Sequence, residues 1–342
     1  MPQRFLVTGG AGFIGSHLCD ALLARGDEVI VLDNLATGRL ANLDEAMTSD
    51  RFRFVQGSVL DELAVDEAVR SCDVVIHLAA AVGVKLIVEQ RLRSLTTNIR
   101  GSENVIEAAH RYRCKILLAS TSEIYGRNPA CPLSEDADRV LGSPTVARWA
   151  YSTAKAVDEI LAYAYHEERG LPTVVVRLFN TVGPRQSPAY GMVIPRLVRQ
   201  ALTGQPLTVF GDGTQTRCFC HVTDVVAALL ALIDRDEAVG DVFNVGAHEE
   251  VSMLHLAQRV IAASERDATI ALVPYDQAYE RGFEDMARRV PDTTKLEELT
   301  GWSPARTLDD ILAEMIAEAA DELAHEALAG TATGATPRPL GP

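Results

Sequence analysis

Tyr151 and Lys155 stand four residues apart in a stretch with helical spacing, so both side chains fall on one helix face. A phenol beside a fixed ammonium and a cationic ring gives up its proton more readily, its pKa moving from about 10 toward neutrality. Such a phenol can take the proton of a hydroxyl while hydride leaves the carbon. The hydride needs an acceptor, and the start of the chain provides a place for one. In Thr8-Gly9-Gly10-Ala11-Gly12-Phe13-Ile14-Gly15, glycines 9, 12 and 15 lie between a strand pattern and a helix pattern. Gly9 permits the tight turn, Gly12 lets backbone approach a pyrophosphate, and Gly15 lets helix and strand pack closely. Phe13 and Ile14 open a helix whose free N–H groups face the phosphates. Asp33, followed by Asn34, ends the second strand about 20 residues further on, where a carboxylate accepts from ribose hydroxyls and repels a 2′-phosphate. That predicts NAD rather than NADP, although Arg39 lies near enough to suit the phosphorylated cofactor.

These residues need a scaffold, and the chain's rhythm predicts one. Short apolar runs at 4–8, 28–32, 52–55, 73–77, 115–119 and 173–178 alternate with helical segments near 14–25, 61–70, 94–112 and 151–169. That alternation predicts an α/β fold of Rossmann type, a doubly wound parallel sheet built over residues 1–180. After residue 180, prolines 184, 188, 195 and 206 cut the chain into shorter pieces. Strand-like fragments at 207–210 and 242–245, with helices at 222–234, 253–263 and 308–326, predict a smaller substrate-binding domain over 181–328. Some of these later segments are expected to return to the first domain. Asp224 is expected to cap the helix that begins near His221. Residues 329–342, rich in Gly, Ala, Thr and Pro, are expected to be disordered.

Composition narrows the function classes. With 342 residues, 47% of them hydrophobic, the chain can bury a large core. A net charge of −15 repels phosphate backbones and argues against a nucleic-acid partner. No run approaches the roughly 18–20 apolar residues of a membrane span, and the N-terminus lacks a signal-peptide layout. The six cysteines have no metal-type spacing, so they are expected to be reduced, mostly buried thiols in cytoplasm, with no metal bound.

The glycine spacing, His77-Leu78-Ala79-Ala80, Asn98, and Tyr151 with Lys155 together resemble the extended short-chain dehydrogenase/reductase family of nucleotide-sugar enzymes, over about residues 4–315. The resemblance implies NAD as cofactor, with Leu78, Ala79, Ala80 and Asn98 lining it or supporting the sheet. It implies Ser58 and Val59 near the adenine, Ser58 standing where relatives usually have Asp. It implies Thr121, from Ser120-Thr121-Ser122-Glu123-Ile124-Tyr125-Gly126, as the hydroxyl partner of Tyr151. A nucleoside-diphosphate sugar would be held by Ser122, Asn180, Arg185, Val193, Arg217 and Arg289, with Lys85 a candidate charge for the sugar. A homodimer joined through the helices near 94–112 and 151–169 is also implied.

Every member of such a group oxidises the sugar C4 hydroxyl first. Inversion then gives a 4-epimerase, loss of the C5 carboxylate a decarboxylase, and loss of the C6 hydroxyl a 4,6-dehydratase. Glu123 is absent from simple 4-epimerases and resembles the Glu of dehydratases and UDP-glucuronate decarboxylases. Arg148-Trp149-Ala150-Tyr151, Gln215-Thr216-Arg217 and Arg289 lean toward the decarboxylases. Against them, Ile87 replaces the Tyr expected to face a sugar acid. Epimerisation is the leading expectation, because it requires no group beyond Thr121, Tyr151 and Lys155. Decarboxylation, dehydration and a non-catalytic dinucleotide binder follow it in that order.

Overall fold

A computed structural model describes residues 2–83, 90–188, 192–278 and 286–332. The apolar runs become the strands β1 (Arg4–Thr8), β2 (Glu28–Asp33), β3 (Phe52–Gln56), β4 (Val74–His77), β5 (Lys115–Thr121) and β6 (Thr173–Leu178). All of them pair in parallel, in the order β3-β2-β1-β4-β5-β6. Their central members are buried on both faces, which is why they read as continuous apolar runs rather than alternating ones. Helices cover both sides. α1 (Phe13–Arg25) packs on one face; α2 (Glu62–Val69), α3 (Arg91–Tyr112) and α4 (Trp149–Arg169) pack on the other.

The segment 241–245, a fragment of the later chain, pairs in parallel with β6 and forms the seventh strand of the large sheet. The helix Val222–Ile233 returns with it, burying Val225, Leu229 and Leu232 against the α1 side. His221 rather than Asp224 caps that helix, its Nδ1 accepting from the Thr223 amide at 3.2 Å. Asp224 is one turn too far in; its carboxylate accepts from the amides of Ala305 and Arg306, at 3.1 and 3.0 Å, and so anchors the connection to the last helix.

The remaining later segments share a separate core. Ile194, Leu197, Val209, Leu256, Ile311 and Leu312 are buried together there. Three short two-stranded sheets hold it: 181–182 with 220–221, 216–218 with 250–252, and 207–210 with 270–273. Strands of two or three residues carry no readable period, so most of these were not visible in the sequence. The last helix runs from Leu308 to Ala332, past the expected end at 326, so 329–332 continue the helix; the rest of the expected disordered tail lies outside the described residues.

Candidate active site

The glycine loop is built by close approach. Gly9 has φ +72, and a Cβ there would sit 2.8 Å from the Ala79 nitrogen. A Cβ on Gly15 would strike the Gly9 carbonyl. Gly12 begins α1 with no side-chain cap, so the first N–H groups of α1, at Phe13, Ile14 and Gly15, face outward without one. Asp33 is buried, and its two oxygens accept from the amides of Ala11 (3.0 Å) and Leu35 (2.8 Å). Burial raises its pKa, and those two amides oppose the shift. Asn34 turns back to the Ala36 amide at 2.9 Å, and Arg39 lies 3.8 Å from Glu322. An open helix N-terminus, a glycine loop with no room for a side chain, and a carboxylate at the strand end fit the pyrophosphate and ribose of NAD.

Along the cradle, Ser58 accepts from Leu60 (3.2 Å), and Val59 is buried against Gly101. Thr8 links the loop to Leu78 and Ala79 through its carbonyl and hydroxyl. Asn98 brackets Ala81: Oδ1 accepts from its amide at 2.7 Å, and Nδ2 donates to its carbonyl at 3.3 Å. Asn98 therefore shapes the segment after Ala80 from behind. His77 bonds Thr8 through Nδ1 (2.7 Å) and Ser102 through Nε2 (3.1 Å), and burial, aided by Lys155, pushes it down to about 3.

Tyr151 and Lys155 occupy successive turns of α4, both buried. Without cofactor the phenol is shifted upward, first by burial and then by the carboxylates of Glu123 and Asp158. The expected downward shift therefore does not belong to the protein by itself: burial outweighs Lys155, whose Nζ also lies 3.1 Å from Asp158 Oδ2. Thr121 closes β5 and accepts from the Glu123 amide (3.2 Å), which fixes the single turn Ser122–Tyr125. Behind it, Tyr125 donates to Asn244 (2.7 Å) and accepts from Arg177 (2.9 Å), while Arg177 forms two bonds to Glu159. Ser122, the first residue of this turn, is buried.

A cleft opens between the carboxyl ends of β5 and β6 and the smaller unit, where a doubly wound sheet places its ligands. Tyr151, Glu123, Arg148, Asn180, Val193, Arg217 and Arg289 line it. Glu123 is clasped by Arg148 Nη1 at 2.6 Å and faced by Arg289 Nη1 at 3.6 Å. Arg289 also donates to Asn180 Oδ1, and Asn180 Nδ2 donates to the Cys218 carbonyl at 2.8 Å. Arg217 is braced by the carbonyls of Thr216 and Met286, at 2.7 and 2.8 Å. Further out, Arg196 stacks over Phe210 at 4.2 Å, beside Thr208 and Gln215.

Arg185 is not brought to this cleft. Its φ of +67 turns the side chain to Asp20 on α1 (2.8 Å), and its amide donates to Glu318 (2.7 Å). Lys85 and Ile87 lie outside the described residues. Arg148 and Asp158 were missed as site residues. Arg148 is one helical turn before Tyr151 and Asp158 one turn after Lys155, so the same spacing rule that singled out the pair could have found both. Among the described residues no cluster of three His, Cys, Asp or Glu could hold a metal, and no helix is long and apolar enough to cross a membrane.

Residues 6–315 match the family described as GDP-mannose 4,6 dehydratase, and the chain belongs to that family. Its relatives include NAD-dependent nucleotide-sugar epimerases, dehydratases and decarboxylases. The chain is 40% identical over 317 residues to a UDP-N-acetyl-alpha-D-glucosaminuronate decarboxylase of Bacillus cytotoxicus, covering 92% of this chain and 97% of that one. It is 36% identical to UDP-glucuronic acid decarboxylase 1 of Arabidopsis thaliana, over 94% of this chain and 71% of that one. Among solved structures, UDP-glucuronic acid 4-epimerase from Bacillus cereus, in complex with UDP-glucuronic acid and NAD, superposes with a TM-score of 0.84 at 31% identity, covering 93% of this chain and 99% of that one.

Proposed function

We propose that this protein is an NAD-dependent decarboxylase of a UDP-linked hexuronate. The observation that carries the reading is Glu123, held between Arg148 and Arg289 on the same cleft wall as Tyr151. A 4-epimerase has no use for a second, charge-clasped carboxylate beside the phenol. The similarity to two decarboxylases supports the same choice, against the sequence-based lead for epimerisation. Charge supports it too: four guanidiniums and one carboxylate line the described cleft, a positive surplus suited to a diphosphate and a sugar carboxylate.

Bound NAD would supply the hydride acceptor and donor at C4. Tyr151 takes the C4 hydroxyl proton, Thr121 orients that hydroxyl, and Lys155 stabilises the phenolate. A ketone at C4 makes the sugar a β-keto acid, so the C5–C6 bond breaks with its electrons held as the C4 enolate. Glu123, with Arg289, handles the proton that C5 must then receive. Asn180 and Arg217 hold the diphosphate. We also propose a homodimer through α3 and α4, where Leu92 and Ile160 are exposed.

Mass spectrometry of the products from UDP-hexuronates with NAD tests the reading. Loss of CO2 supports it. An isomer of unchanged mass would make the protein a 4-epimerase, the reading favoured by its resemblance to the UDP-glucuronic acid 4-epimerase structure. Loss of water would make it a dehydratase.

A further inference from the structure

Asp158 is 0% exposed, and Lys155 beside it is 2% exposed. Among the described residues neither Asp158 oxygen accepts an aligned hydrogen bond, and Lys155 Nζ stands 3.1 Å from Oδ2. The other groups facing the pair are few. Burial raises the pKa of the Asp158 carboxyl, and Lys155 and then Ser102 of α3 oppose the shift; Ser102 is also bonded to His77 Nε2, from the end of β4. Glu159, next on α4, is committed to Arg177. Glu123 and Tyr151 lie on the cleft side. A buried ion pair with so little hydrogen bonding contributes little to stability; well-packed apolar residues generally do as well. What it does accomplish is local. Enclosure by protein disfavours the charged form of an ammonium, and an anion beside it favours that form.

We propose that Asp158 is a positioning residue for the C4 oxidation: it holds the Lys155 ammonium in place and charged, and acts on Tyr151 through it. Lys155 Nζ lies 3.1 Å from Asp158 Oδ2. When cofactor brings a second positive charge, a charged and correctly placed Lys155 lets Tyr151 release its proton. This role precedes any divergence of the 4-keto sugar, so it does not depend on the decarboxylase reading.

The test uses NAD-saturated protein without sugar, and follows Tyr151 ionisation by ultraviolet difference absorbance against Tyr151→Phe. Asp158→Asn removes the carboxylate's own upward push on Tyr151 but also takes the counter-ion from Lys155; the second effect is expected to win, so that the phenol titrates at higher pH and NAD binds about tenfold more weakly, measured calorimetrically. An unchanged titration would make Asp158 merely structural. A titration moved to lower pH would make it a direct negative charge on Tyr151. Either result overturns the proposal. Should Asp158→Asn fail to fold, Asp158→Glu keeps the charge but moves it by one methylene: the same upward movement is expected, and wild-type titration would again overturn the idea.

Discussion

Arg148 Nη1 lies 2.6 Å from Glu123 Oε2, joining the N-cap of α4 to the turn that follows β5. Both groups are largely buried, with side-chain exposures of 5% and 15%, so this contact is screened far less than a surface pair. It keeps a carboxylate in a defined place on the cleft wall that also carries the Tyr151 phenol. The consequences can be tested one group at a time.

Glu123→Gln keeps the shape and removes the proton-handling carboxylate. With a UDP-hexuronate, NADH absorbance should still appear in stopped flow, because Tyr151, Thr121 and Lys155 remain in place. Product formation should fall by about 100-fold or more. Wild-type turnover would leave Glu123 with no chemical role.

Arg148→Met leaves Glu123 with Arg289 alone, at 3.6 Å. Product formation should drop by about tenfold with NAD affinity unchanged, since Arg148 touches the carboxylate rather than the dinucleotide cradle. Parallel kcat and calorimetric measurements would show whether the two effects separate.

His77 is held neutral down to about pH 3 in the fold, against 6.5 when unfolded. The unfolded chain therefore binds the extra proton between those values. Stability falls as pH drops from 6.5 toward 3, by at most about 1.4 kcal/mol per pH unit from this residue. Urea titrations of His77→Gln across that window should show a shallower pH dependence than wild type.

Arg177 and Glu159 form a buried bidentate pair behind the turn Ser122–Tyr125. Arg177→Met strands the carboxylate and should cost about 3–5 kcal/mol. Arg177→Met combined with Glu159→Leu should recover most of that loss in thermal or chemical unfolding.

Ile160 is 62% exposed on α4. If α3 and α4 carry the dimer, Ile160→Glu should halve the mass seen by light scattering. A wild-type mass equal to one chain would remove the dimer altogether.

The sequence was most informative where one residue answers to one local demand. Gly9, Gly12 and Gly15 are dictated by backbone approach, and the central strands of the sheet by burial on both faces. It was least informative where direction is set by tertiary partners. Arg185 was expected to hold the nucleoside-diphosphate sugar, yet a left-handed backbone sends it to Asp20. Tyr151 was read from its helical neighbour Lys155, but its proton affinity also reflects Glu123, brought in from a separate strand end. Asn98 was placed near the cofactor, and its amide is occupied in shaping the backbone at Ala81.

Asp33 supports the Ala11 amide with one oxygen and the Leu35 amide with the other. The carboxylate suited to a bare ribose is thus also a strut of the glycine loop. Redesign toward a phosphorylated cofactor could not proceed by exchanging Asp33 alone, because the exchange would slacken the loop before any new affinity was gained. An engineer would first have to install a replacement acceptor for Ala11, and natural drift faces the same obligatory order of steps.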